Sequence, residues 1–247
     1  MKDIQLALMT GIDIPIEELQ VILHQPTLLE IAYMGEQNFF SSIHHLTLNK
    51  ESLVQDESLL QNLTNFQVLM KVLEQSETSE KKNNIISLLS LLFPLYKIIW
   101  MPKSIILSNM ESKQNILIDD NNFDVLQDII KKIFCTHKLF QTDNIVYNPA
   151  NAAAKKIADK IMKNRQKIAQ INANKQKQTS LLSQYISILT VGIHSMSFKD
   201  CCNLTFFQIF DLMERYKLYL KWDIDLRARL AGADIKKEPE DWMKSLY

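Results

Sequence analysis

The chain has 247 residues, 47% hydrophobic and 23% charged, enough for one large or two ordinary domains with a real core. Its 28 basic and 28 acidic side chains cancel, but residues 1–148 carry 11 basic against 18 acidic groups, residues 149–178 carry 8 against 1, and the rest carries 9 against 9. Cys135, Cys201 and Cys202 are too few and too badly spaced for a disulfide framework, the N-terminus lacks a secretory pattern, and the most apolar run (85–96) falls short of the roughly 20 residues of a membrane span. A soluble protein of a reducing cytoplasm is expected.

In chain order, Ile4, Leu6 and Leu8 alternate, and after a turn-like TGIDIPIE the run LQVILH follows, which predicts two short strands. Thr27 and Glu30 have capping-box spacing and Gly35 suits a stop, so LLEIAYM reads as a short helix, with EQNFFSSIHHL starting another. Helices are expected over 66–75 and 83–93, around the charged SETSEKK. IIWMPKSIILS and NILID are β-rich runs about a short polar loop, the pattern of a hairpin. DDNNFDVLQDIIKKIF begins with acids and ends with lysines, which complements a helix dipole.

Asn148 and Pro149 mark a boundary, since the residue before proline is pushed out of helical geometry while proline suits a helix's first position. From there to about Gln178, Ile157, Ile161, Ile168 and Ile171 form a thin seam on an otherwise polar, basic helix. Thr179 or Ser180 caps a strongly apolar helix. Residues 205–230 carry the strongest helical pattern: Thr205 and Gln208 form a capping box, Gly232 stands at the stop, and Phe206, Ile209, Met213, Tyr216, Leu220 and Ile224 share a face. A last short helix is expected from Pro239 through Leu246, anchored by Trp242.

Catalytic signatures are lacking. The four glycines lie too far apart for a phosphate loop, and no G-x-S-x-G, H-E-x-x-H or C-x-x-C occurs. Adjacent His44 and His45 diverge by about 100° on a helix and do not converge on one metal. Asp119, Asp120, Asn121, Asn122 and Asp124 lack the glycine and glutamate of a calcium loop and read as helix capping. Asp223 with Arg227, and Asp225 with Arg229, have the spacing of helix-surface ion pairs. No cofactor, metal or enzymatic activity is expected.

The basic stretch, with Lys155, Lys156, Lys160, Lys163, Arg165 and Lys167, admits three readings. It docks on an acidic protein surface, the −7 body of this chain included; it binds nucleic acid; or it is a solvated linker helix. It lacks aromatic residues for stacking bases and holds one arginine for bidentate readout, which weighs against nucleic acid.

The C-terminal stretch LTFFQIFDLMERYKLYLKWDIDLRARLAGADIKKEPEDWMKSLY resembles the end of tail assembly chaperones of long-tailed bacteriophages. Gln208, Asp211, Arg215, Tyr216, Trp222, Asp223, Arg227, Leu230, Ala231, Gly232 and Trp242 carry the likeness, and DIPIEELQVILHQPTLLEIAYMGEQNFF adds to it. The chain is larger than many such chaperones. The resemblance implies a non-enzymatic factor of the host cytoplasm that coats the long helical tape measure protein, recruits tail-tube subunits and is not retained in the virion. A nucleic-acid-binding phage protein acting through 155–177 and a structural virion component are the alternatives.

The expected architecture is α+β: a mixed domain over 1–147, a basic helical connector over 148–178 and an α-helical domain over 179–247. The expected partner-binding residues are the six basic side chains above with Phe206, Ile209, Met213, Tyr216, Leu220 and Trp242.

Overall fold

The computed structural model describes residues 4–49, 63–74, 79–111, 114–139, 180–193, 195–232, 238 and 241–244. The order is α1 (Ile4–Thr10), a hairpin of β1 (Ile14–Ile16) and β2 (Val21–Leu23), α2 (Leu28–Met34), α3 (Glu36–Leu46), α4 (Asn65–Glu74) and α5 (Ser79–Leu92). A meander follows, β3 (Tyr96–Met101), β4 (Ser104–Asn109) and β5 (Asn115–Ile118), then α6 (Phe123–Ile133) and α7 (Thr136–Leu139). Three further helices are α8 (Leu181–Gly192), α9 (Phe198–Asn203) and α10 (Phe206–Leu230). Among the described residues, two small antiparallel sheets lie among helices and are followed by helices, which makes the fold α+β. The boundary at Asn148 and the basic connector lie outside the described residues.

Several local expectations change. The alternating start is a helix: Ile4, Ala7 and Leu8 pack inward at helical spacing, while Leu6 is exposed. The hairpin instead uses IPI, inside the turn-like segment, as its first strand. Ile14 pairs with Leu23 and Ile16 with Val21, all four buried, while Pro15 points outward on a two-stranded ribbon where a missing N–H is tolerated. IIWMPKSIILS is itself a hairpin turning at Pro102 and Lys103, so NILID supplies a third strand. A short helix, α9, was not anticipated; Ser197 and Asp200 form its capping box.

Capping chemistry sets the main helix starts. Thr27 Oγ1 accepts from the Glu30 N–H while Glu30 accepts from the Thr27 N–H, and Thr205 and Gln208 repeat the arrangement at α10. Ser180 caps α8 through the Ser183 N–H at 3.0 Å. Asn122 makes no such bond for α6. Its side chain accepts from the Asp119 N–H and donates to the Leu117 carbonyl, while Asp120 and Asp124 accept from Gln67 and Asn65 in the first turn of α4. The acidic cluster thus joins α4 to the entry of α6.

One hydrophobic core runs from Leu8 to Met213. At its centre the rings of Phe39, Phe134 and Phe206 meet edge-on or tilted at 5.2 to 5.6 Å, bringing α3, the end of α6 and the start of α10 together. Two backbone bonds complete the junction: Leu28 N–H to Leu204 O at 2.9 Å and Phe206 N–H to Pro26 O at 3.3 Å.

Candidate protein-interaction surfaces

α6 is amphipathic, with Phe123, Leu126, Ile130 and Ile133 in the core, and its outer shoulder faces Ile4 of α1 and the turn of the β1–β2 hairpin. Between them lies a groove made of two adjoining hollows of about 530 Å³ and 330 Å³, which share Ile4, Asp128 and Lys132. Leu8 and Phe207 line the larger hollow, whose walls are mostly apolar, whereas in the smaller Val125 and Ile129 stand among charged side chains. Glu17 and Glu18 edge the smaller hollow and Lys131 and His137 the larger, while Asp128 and Lys132 stand where the two meet. The groove therefore has one mixed, acidic end at Glu17 and Glu18 and one mostly apolar end that carries Lys131 and His137. Burial, with the charge of Lys138 beside it, lowers the His137 pKa.

Position 127 explains how the basic end is held. Gln127 sits in the apolar stripe of α6, 1% exposed, and donates to the carbonyls of Leu46 and Leu48 at 3.0 and 2.9 Å. These are acceptors at the end of α3 that the helix itself leaves open. The Lys131 amine in turn donates to Gln127 Oε1 and to Asn49 Oδ1, both at 2.7 Å. The signal available in the sequence was one amide inside an otherwise apolar stripe.

α10 divides in two. Phe206, Phe207, Ile209, Phe210, Asp211 and Met213 are buried, and beyond Met213 no residue of the helix is. The last described residues fold back on this outer half: Arg215 Nη1 donates to the carbonyls of Trp242 and Lys244 at 3.2 and 3.0 Å. Trp242 meets Tyr219 edge-on at 5.5 Å and Trp222 at 6.5 Å. Residues 241–244 form a turn rather than the expected helix, with the Met243 N–H bound to Asp241 Oδ1, although Trp242 does anchor it. Asp223 and Arg227 form an ion pair at 2.9 Å.

A charged clamp lies near the junction of α2 and α10. His24 contacts Asp13 through Nδ1 at 2.9 Å and Glu30 through Nε2 at 3.3 Å. Burial by itself would lower the His24 pKa, but hydrogen bonds to Asp13 and Glu30, together with their charges, outweigh it and leave the pKa raised. For Glu30 burial opposes ionisation, and the bonds from Thr27 and His24 prevail, so its pKa is lowered. Among the described residues no group of three His, Cys, Asp or Glu side chains could hold a metal ion. Among them, too, no helix is long and apolar enough to cross a membrane.

Of the residues the sequence singles out, Phe206, Ile209 and Met213 lie in the chain's own core. Tyr216 packs against that core and against Gly192, Leu220 is 38% exposed, and Trp242 is half-buried on α10. Lys155, Lys156, Lys160, Lys163, Arg165 and Lys167 lie outside the described residues. The structure does not bring the aromatic face of α10 together with any described basic cluster; the groove residues of α1 and α6 were not anticipated.

Residues 174–247 match the family model described as the YomV second domain, a phage-associated family. The match takes in α8, α9, α10 and the C-terminal turn. No curated protein and no solved structure matches the chain.

Proposed function

We propose that this chain is a non-enzymatic assembly factor of a long-tailed phage, a tail assembly chaperone that acts in the host cytoplasm and binds a helical segment of the tape measure protein, the tail-tube subunits, or both. The observation that carries the reading is the groove between α1 and α6. Its larger, mostly apolar hollow accepts the stripe of an amphipathic helix, and the acids at one end and the bases at the other complement the positive N-terminal and negative C-terminal ends of a helix dipole. The phage-associated match over 174–247 supports the biological setting. Two or three aliphatic side chains seated there contribute about 1.5–3 kcal/mol each, against an association cost of at least about 4 kcal/mol. The product is a weak contact that can be released, as an assembly factor requires.

The test is co-expression with the tape measure protein of the same phage. The reading expects the long protein to remain soluble and to co-purify after nuclease treatment. Glu17→Lys with Glu18→Lys at the acidic end, or Lys132→Glu where the two hollows meet, all exposed positions, should reduce recovery without unfolding the chain. Co-purification that disappears with nuclease would favour nucleic-acid binding instead. Failure of the wild type to solubilise or retain the partner would overturn the chaperone reading.

A further inference from the structure

Beyond Lys217, which interrupts the line and lies over the Tyr185 ring, the outer half of α10 resumes the helix's own core stripe in solvent. At about 100° per residue, Phe206, Phe210 and Met213 stand in line with Leu220, Ile224 and Ala228. The first three are buried, whereas Ile224 is 64% exposed. The opposite face is already covered, since Arg215, Tyr219 and Trp222 hold the turn at Trp242. Among the described residues, one apolar face thus remains open along the last turns of a 25-residue helix.

Charge placement specifies what fits it. Asp223 and Arg227 lie on one flank of the open stripe, and Lys221 and Asp225 on the other, so each flank carries one acid and one base. When two copies of such a helix lie antiparallel about a two-fold axis at Ile224, each flank meets the same flank of the other copy. Leu220 then faces the partner's Ala228, and the two Ile224 side chains meet. Asp223 comes beside the partner's Arg227, and Lys221 beside the partner's Asp225. Every flank contact pairs opposite signs, the self-complementarity that an isologous interface requires. The intrahelical pair Asp223–Arg227 is exposed on its arginine side and is available for exchange.

We propose that this face is a self-association surface on which a second copy of this chain lies antiparallel, centred on Ile224. The inference is independent of the groove and of the partner proposed for it. The dimer is weak and salt-sensitive, because its apolar stripe is narrow and its flanks are exposed ion pairs.

Sedimentation of the purified full chain over about 1 to 100 μM tests it, a range suited to micromolar dissociation constants. A monomer–dimer equilibrium that weakens with added salt is expected. Ile224→Glu should weaken it by about tenfold or more, with an unchanged circular dichroism spectrum. Asp223→Arg should also weaken it, and Asp223→Arg with Arg227→Asp should recover it, because the double exchange restores opposite signs across the axis. A chain monomeric at every concentration, a dimer indifferent to Ile224→Glu, or a double exchange no better than the single one would each overturn the proposal.

Discussion

Thr27 and Thr205 are β-bridge partners, and each is also the N-cap of a helix, α2 and α10 respectively. Far apart in sequence, the two capping boxes are thereby locked side by side, and the C-terminal helix is started by contact with the N-terminal half. Thr27→Ala and Thr205→Ala should each cost about 1 kcal/mol. In a chain of this size that is about 2–4 °C in melting temperature. Because the caps share the backbone bonds around them, the double variant should depart from additivity by at least about 0.5 kcal/mol. Strictly additive losses in urea unfolding would show that the two caps act separately.

The His24 clamp makes stability depend on pH in a defined direction. His24 has a raised pKa, so its contribution is complete below the ordinary value of 6.5 and fades as pH rises through the raised one. Glu30 has a lowered pKa, so its contribution is complete above the ordinary 4.5 and fades as pH falls through the lowered one. The clamp is therefore strongest between pH 4.5 and 6.5. All three side chains are partly exposed, which limits the gain to about 1 kcal/mol. Urea midpoints of the wild type and His24→Gln should differ most inside that window and converge at alkaline pH; parallel profiles would contradict the clamp.

Gln127 predicts a cost for a substitution that hydrophobicity alone would favour. In Gln127→Leu the carbonyls of Leu46 and Leu48 lose their donor and the Lys131 amine loses an acceptor. A destabilisation of about 1–3 kcal/mol is expected, readable from thermal unfolding. A leucine variant as stable as the wild type would mean that water takes over those carbonyls.

Gly192 gives α8 its close approach to α10. A Cβ there would lie 2.2 Å from Tyr216 Oη and 2.3 Å from Cζ, and 2.8 Å from Cε1. Gly192→Ala must displace the ring at about 1–3 kcal/mol. Tyr216→Phe leaves the ring carbons in the way, whereas Tyr216→Ala removes them. In the Gly192→Ala background the first should therefore restore little and the second relatively more.

Elements whose signal is local were legible in the sequence. The caps at Thr27, Ser180 and Thr205 and the stripe of α10 are set by neighbours three or four residues away. α1 was misread because Ile4, Leu6 and Leu8 satisfy a two-residue period while Ile4, Ala7 and Leu8 satisfy a helical one, and contact with α10 decides between them. β1 was hidden by Pro15, which is acceptable only because its strand pairs on one side. α9 was not legible because its capping box carries Asp200 at the third position, where the usual pattern has Glu or Gln. The groove was not legible at all: Ile4, Glu17, Lys132 and Phe207 come together only through tertiary packing. Likewise, the aromatic stripe of α10 does not reveal from spacing alone that its first half belongs to the core.

Amide hydrogen exchange of the full chain with and without the tape measure protein tests the central claim most directly, because it reports where a partner rests. The groove account predicts slowed exchange in residues 4–8 and 125–132, with little change across β3 to β5. Binding that leaves 4–8 and 125–132 unprotected would contradict it.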